Sequence, residues 1–439
     1  MYKLKITIFF LIFIFCSTIG NSETLSTFSN IEKDDKVSDI EFVNFIRETI
    51  IIQPDFLQAT AKKGELIENK KYAQRLRFPT IEAQLYNDRT ISRNIETNAL
   101  RKTRDDSFDG VISIDQKLYS GNEVNSKINI AKNEMNISNV ERSEVASKLV
   151  IQAVDIYLNA ASAVLLSEYS SKILNNLKRY KETAKARFNA GAIENTEFAL
   201  INIRLSEIEV KIALLDASKI QNLSLFRSFY KDEYNDKGLP DFKLFNLEDN
   251  KVENFSESYD QVKSKIGVKI SEHNLELTKS QYRPHLGFNA RYTQYDIDDE
   301  AKDTDIRGGF YVKFPLFSFG RGSADVNASK ARVRQAKINN DVKLRETKNT
   351  TANVFGSYFG ALQARDRILE AYKNVKLQRE TFEIRMAGSS FSTAALLDAA
   401  QKEIAFYEQL IENEKRLFLA DLQVRHLNRE LLSRFNLSL

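Results

Sequence analysis

The sequence is dominated by a very long helical pattern that turns back on itself and occurs twice. None of the five prolines falls between Pro79 and Pro240, so nothing in this span interrupts a helix. From Ala146 to Phe188, mostly small or apolar residues recur in alternating steps of three and four, and only Lys181 breaks the series. Such a sustained heptad repeat predicts coiled-coil packing, and its small side chains allow helices to approach closely.

The same unit is predicted in each half of the chain, which indicates a duplication. At 1.5 Å per residue, each outgoing helix would be roughly 100 Å long. Apolar residues that lie off the heptad seam predict that each helix has neighbours on two sides. The two predicted helical hairpins are residues 122–230, turning at Gly191, and residues 322–435, turning at Ala387-Gly388.

A pair of segments with alternating polar and apolar residues precedes each helical hairpin. They predict β-hairpins at about residues 79–119 and 284–317. One alternative is a soluble sheet with one wet face, but an isolated two-stranded hairpin is marginal in water. Strands of about ten residues suit a tilted transmembrane β-strand. A membrane barrel must close, and four strands are too few, so this reading predicts an oligomer; three copies would supply twelve strands.

The amino terminus has the features of a secretory signal peptide. A short basic region that includes Lys3 and Lys5 precedes an apolar run from Ile6 to Phe15, and small or polar residues follow. The only cysteine, Cys16, lies in this segment, so the mature chain is expected to lack disulfides and thiol chemistry. The predicted organisation is a signal peptide (1–22), a loose segment (23–38), a first repeat (39–230), a connector (231–254) and a second repeat (255–439).

Several short motifs in a fixed order resemble the TolC family of outer-membrane efflux proteins. None is specific alone, but their order, spacing and duplication cover nearly the whole mature chain. They are Gln53-Pro54-Asp55, the strand starts at Pro79 and Pro284, Pro315-Leu316-Phe317 before a long helix, and the tip Arg187-Phe188-Asn189-Ala190-Gly191.

The resemblance implies an α+β membrane protein that works as a homotrimer. Long antiparallel coiled-coil hairpins would form an α-barrel across the periplasm, and four transmembrane strands per chain would complete a twelve-stranded β-barrel in outer-membrane lipid. A periplasmic adaptor and an inner-membrane exporter, either ATP-driven or proton-driven, would dock at the hairpin tips. Such a channel conducts substrates passively in efflux or type I secretion, with no cofactor.

The resemblance also implies a gate at the tunnel entrance. In the family, an acidic pair lies in a Thr-x-x-Asp-Val-Leu-Asp-Ala motif, and Asp398 matches its second aspartate after a one-residue shift. Ala395 stands where the first aspartate is expected, so the predicted gate is an altered one. Glu197 matches an acidic residue that holds the first tip closed, whereas Ser390 occupies the region of an expected arginine.

Two further sets of site residues are predicted. The expected adaptor-docking tips are Asn189, Ala190, Gly191, Ala192, Ala387, Gly388 and Ser389. Charged residues on the polar side of the strands would line the barrel lumen, where they tune charge selectivity or form a solvated face. This lumen set is Glu82, Asp115, Arg291, Arg307 and Lys313.

Other classes of function find little support. The sequence has no His-Glu-x-x-His, cysteine pair, phosphate-loop lysine or Gly-x-Ser-x-Gly, so neither an enzyme nor a metal site is expected. The net charge of +4 is small and no basic block occurs, which argues against nucleic acid. The rival interpretations are a periplasmic coiled-coil adaptor and a structural protein of an export complex.

Overall fold

The computed structural model describes residues 26–28, 31, 38–89, 106–235, 238–240, 242–244, 257–295, 297, 303–386 and 392–437. The predicted signal peptide lies outside these residues. The elements in chain order are β1 (Ser26–Thr27), α1 (Asp39–Ile51), α2 (Pro54–Arg75), β2 (Thr80–Arg89), β3 (Asp106–Tyr119), α3 (Glu123–Asn189), α4 (Asn195–Tyr230), β4 (Phe242–Lys243), α5 (Tyr259–Ser280), β5 (His285–Gln294), β6 (Thr304–Lys313), α6 (Arg321–Met386), α7 (Thr393–Leu427) and α8 (Leu431–Arg434).

Helices dominate the fold, and the predicted coiled-coil packing is confirmed. Helix α3 has 67 residues and α6 has 66, so each is roughly 100 Å long. Along α3 the seam residues Ala146, Ala153 and Ala160 are fully buried. Tyr157 and Val164, which lie off the seam, are buried as well, so α3 has packing partners on two sides.

The helices lie side by side in columns. Helix α3 packs against α2, α4, α5 and α7, and α4 also contacts α7. Helix α6 packs against α5 and α7 and has no comparable contact with α3 among the described residues. Each long helix is therefore paired with two shorter helices whose combined length is close to its own. One outer edge of this layer is formed by α2 and α4, and the other by α6.

The strands form one antiparallel sheet in the order β2-β3-β5-β6. Each predicted β-hairpin forms, and β3 also pairs with β5, which joins the two halves of the chain. A second, two-stranded sheet pairs β1 with β4. The structure therefore agrees with the predicted fold, which combines long helical hairpins with four strands per chain.

Two stretches differ from the sequence-based expectation. The segment predicted to be loose contributes β1 and places Phe28 in the core, where its ring lies 5.9 Å from that of Phe418. The final helix ends at Leu427 instead of continuing to Phe435, because Arg429 adopts a left-handed conformation with φ of 59° that a helix cannot contain. A short turn of helix, α8, follows.

Apolar composition within α3 is explained by its position in the core. Among the described residues, α3 is the one helix that is long and apolar enough to cross a membrane by composition. Most of that apolar stretch is buried against neighbouring helices, so its apolar side chains are already used in packing.

Candidate functional site

The five charged residues predicted to line a lumen all lie on one face of the sheet. Antiparallel register partners point to the same side, and side chains alternate along each strand. Glu82 pairs with Ser113, Ser113 with Arg291, and Arg291 with Arg307, so these four form one row across the sheet. Asp115 and Lys313 fall on the same face by the same alternation.

The opposite face of the sheet is apolar and uncovered. Its residues include Ile81, Ile306 and Phe310, which are 67%, 78% and 75% exposed. Further members of this face are Leu85, Ile112, Leu286, Tyr292 and Val312, all of them also exposed. An exposed apolar surface of this size marks an interaction with lipid or with another protein.

The sheet has two free edges. Within the described part of the chain, β2 pairs only with β3, and β6 pairs only with β5. Each edge leaves a row of backbone N–H and C=O groups without strand partners. Both strands have ten residues, so the unpaired edges are long enough to template a further strand.

A tyrosine crosses the polar face near the helix end of the sheet. The Tyr311 hydroxyl donates a hydrogen bond to Asp115, with oxygen–oxygen distances of 3.2 and 3.4 Å. To reach across β5, the Tyr311 ring passes over Gly287, where an added Cβ would lie 2.3 Å from the ring carbon Cζ. Gly287 is therefore required for this contact.

The first helical tip closes with a compact backbone motif. Gly191 has φ of 71°, a left-handed conformation that glycine adopts without steric cost. The Gly191 amide donates to the Phe188 carbonyl at 2.9 Å, and the Ala192 amide donates to the Arg187 carbonyl at 2.8 Å. This pattern is a Schellman motif, which satisfies carbonyl groups at the end of α3.

The predicted docking residues at this tip occupy the turn itself. Asn189 ends α3, Ala190 is its C-cap, and both are exposed together with Ala192. Beside the turn, the Phe188 ring stacks on the Phe198 ring at a centroid distance of 4.7 Å, which joins the two helices. Ala387, Gly388 and Ser389, the expected docking residues of the second tip, lie outside the described residues.

The two candidate gate residues lie on different hairpins. The Asp398 carboxylate, 41% exposed, forms an ion pair of 2.7 Å with Lys402 one turn later on α7. Ala395 lies one turn before Asp398, so no second carboxylate reinforces it there. Glu197 lies in the first turn of α4, where the positive end of the helix dipole favours an acidic residue.

A buried polar cluster, which the sequence did not predict, joins three helices above the second tip. Glu403 on α7 is fully buried. Its carboxylate accepts a hydrogen bond from the Tyr169 hydroxyl on α3 at 2.5 Å and forms a short ion pair with Arg379 on α6. The Tyr372 hydroxyl lies 3.0 Å from that of Tyr169. Burial, and then the hydrogen bond to Glu403, raise the pKa of Tyr169 far above its usual range.

A second buried ion pair lies further along the same two helices. The Arg365 Nε donates to the Glu414 Oε1 at 2.7 Å, and the side chains are 3% and 0% exposed. The other carboxylate oxygen, Oε2, accepts from the Phe28 amide at 3.2 Å. The amino-terminal segment thus completes the coordination of a carboxylate that the core would otherwise leave under-satisfied. Among the described residues, no group of histidine, cysteine or carboxylate side chains could hold a metal ion.

The chain was compared with known families and structures. Residues 46–224 match the family model described as "Outer membrane efflux protein". No curated protein sequence matches the chain.

Three solved structures with a similar fold are outer-membrane proteins. The outer membrane protein VceC from Vibrio cholerae is 14% identical with a TM-score of 0.74, over 88% of this chain and 96% of that chain. The Campylobacter jejuni CmeC outer membrane channel is 14% identical with a TM-score of 0.75, over 94% and 90%. The open state of the Neisseria gonorrhoeae MtrE outer membrane channel is 14% identical with a TM-score of 0.72, over 93% and 96%.

The family match covers the first helical repeat, and the shared fold extends through the second. It agrees with the order and spacing of the sequence motifs. Residues 46–224 are therefore similar to the outer membrane efflux protein family, and the chain as a whole has the fold of solved outer-membrane channels.

Proposed function

We propose that three copies of the chain form a passive duct that carries substrates from a periplasm-spanning efflux or secretion complex to the outside. The observation that carries this proposal is the four-stranded sheet with one exposed apolar face, one polar face and two free edges. Such a sheet is unsuited to water or lipid as an isolated unit. Pairing β6 of each copy with β2 of the next closes a twelve-stranded barrel, with lipid outside and the polar face inside.

The helices support the same assembly, because each outer edge of the helical layer carries an unpartnered apolar stripe. On α4, Ile203, Val210 and Leu214 are 55%, 61% and 63% exposed and lie on the side opposite the buried residues of this helix. On α6, Leu377 and Ile384 are 62% and 76% exposed, again on one side. In the proposed trimer, the α4 stripe of one copy packs on the α6 stripe of its neighbour.

The helical layers of three copies would form a tunnel of twelve columns. Its length of roughly 100 Å suits a periplasmic conduit. The tips at Gly191 and at residues 387–389 would contact an adaptor and bring the entrance to an inner-membrane exporter. We propose that Asp398 and Glu197 lie beside this entrance, and that it opens by movement of the helical hairpins about their tips.

The interpretation as an adaptor is less well supported. It assigns no role to two strand pairs that join into one sheet with an exposed apolar face. A structural coiled coil leaves the same face unexplained. The channel interpretation uses the two free sheet edges and both apolar stripes in one assembly.

The assembly is tested by adding charge to the α4 stripe. The double variant V210D/L214D, purified in detergent, is expected to lose the trimer, since two carboxylates would be buried in an apolar seam. The matched variant S206D/A213D adds equal charge to exposed positions on another side of α4 and is expected to remain trimeric. Native mass is the readout. A monomeric wild-type protein, or two variants that assemble equally, would refute the proposed contact.

A further inference from the structure

Two arginines lie directly opposite each other in the middle of the polar face. Arg291 on β5 and Arg307 on β6 are register partners, and both are exposed. Like charges in this relationship destabilise a strand pair, so the pair adds nothing to the stability of the sheet. We propose that Arg291 and Arg307 form a binding site for anionic groups, phosphates above all, on substrates that pass through the barrel. This proposal rests on the function proposed above.

Nearby carboxylates leave much of this positive charge available. Arg307 pairs with Asp305 at 2.6 Å, but Arg291 uses its Nε for a neutral partner, the Thr293 hydroxyl, at 3.2 Å. Within the described part of the chain, no carboxylate forms an ion pair with Arg291. Each guanidinium carries five N–H donors, so several on each side chain remain directed to solvent.

Two carboxylates, Asp115 on β3 and Asp305 on β6, lie diagonally from Arg291. Asp305 pairs with Arg307, and the fold holds Asp115 elsewhere. Asp115 lies two residues beyond Ser113 on β3, and Ser113 is the register partner of Arg291, so Asp115 is diagonal to Arg291 on the same face. Its two oxygens instead face the Tyr311 hydroxyl, and Gly287 makes room for the tyrosine ring. Tyr311 therefore acts as a positioning residue that keeps a carboxylate away from the arginine pair.

The chemistry of the pair selects the class of ligand. Planar guanidinium groups bind phosphate and carboxylate oxygens through two parallel hydrogen bonds, and a polyphosphate can engage several groups at once. In a closed trimer, three such pairs lie at the same height and give a ring of six guanidiniums. This ring is a low-affinity binding site for anions. Because its side chains remain solvated, a bound substrate can leave the site and pass through the barrel.

The test is block of channel current by inorganic tripolyphosphate in planar bilayers that contain the purified trimer in KCl. Tripolyphosphate is expected to block the wild type, and R291Q/R307Q is expected to weaken the block by about tenfold, since charge-assisted hydrogen bonds are lost. R291K/R307K keeps the charge but loses the planar fork, and should give an intermediate block. K313Q removes a charge from the same face away from the pair and should change the block less than about threefold.

The positioning role of Tyr311 has its own readout. Y311F removes no charge but frees Asp115 to pair with Arg291, so it is expected to weaken the block in the same direction. A wild type that conducts but resists tripolyphosphate, or equal block of wild type and R291Q/R307Q, overturns this inference and leaves the channel function intact. A wild-type trimer that carries no current overturns the proposed function and this inference together.

Discussion

Glu403 on α7 and Tyr169 on α3 are joined by a 2.5 Å hydrogen bond, although 234 residues separate them in sequence. Through the ion pair of Glu403 with Arg379, the bond ties both helices of the second hairpin to the central helix of the first. A tip that opens must either move these three helices together or break this cluster. In the opening proposed above, these bonds would resist movement of the hairpins.

Replacement of Glu403 by glutamine should loosen this junction. E403Q leaves the buried Arg379 with ion pairs only within α6, to Glu383 at 2.8 Å and to Glu380 at 3.8 Å. Removal of one member of a buried pair costs about 3 kcal/mol. Hydrogen exchange in the flanking segments of α6 and α7 should accelerate accordingly. E412Q breaks a half-exposed pair with Lys415 and should cost less than about 1 kcal/mol. Equal exchange in both variants would contradict the role of the cluster.

The turn at Gly191 should be sensitive to the backbone alone. An added Cβ at this position meets no atom within 4 Å, so G191A tests the left-handed conformation without a steric clash. The expected cost is about 1 kcal/mol, seen as faster exchange of the amides at positions 191 and 192. In G64A, equally open but within helix α2, alanine should stabilise by about 0.5 kcal/mol. Unchanged exchange in G191A would exclude a strained tip.

The entrance gate should respond to a restored acidic pair. A395D places a second carboxylate one turn from Asp398 on the same side of α7, and should lower conductance and shift selectivity toward cations. D398N should change conductance by less than about twofold, because Asp398 is already neutralised by Lys402 and such an exposed pair contributes only about 0.5 kcal/mol. Bilayer reversal potentials measure both effects. A large effect of D398N with none of A395D would place the gate elsewhere.

Acid should weaken the contact between α3 and α5. Burial disfavours the Glu144 carboxylate, but hydrogen bonds from Lys148 and Lys263, both at 2.5 Å, outweigh it and hold its pKa below the ordinary 4.5. A carboxylate with a lowered pKa stabilises the fold above the unfolded value, and this contribution is lost as pH falls below 4.5 toward the folded value. E144Q should flatten this part of the thermal-stability profile, whereas E68Q, at an exposed pair, should preserve it.

Patterns with a fixed period could be read directly from the sequence. The heptads of α3 and the alternation in residues 286–293 predicted the helices and strands because each period places one type of side chain on one side. The register that brings Glu82, Arg291 and Arg307 into one row needed the structure, since β3 and β5 are far apart in the chain. No local pattern encodes that pairing.

The buried polar clusters could not be predicted for a similar reason. Nothing local marks Glu403 as a buried acid, since its partners Tyr169 and Arg379 lie on other helices. Phe28 belonged to a polar stretch that was expected to be loose, and its place in the core depends on a pocket formed by distant aromatic residues. Tertiary contacts decided both cases.

The central claim is that the assembled protein is an open-ended duct through the outer membrane. The most direct measurement is single-channel recording of the purified protein in planar bilayers of defined lipid, with native mass determined on the same sample. The account predicts a trimer that inserts and carries an ionic current in discrete steps. A trimer that inserts without conductance, or a protein that stays soluble and does not insert, would contradict it.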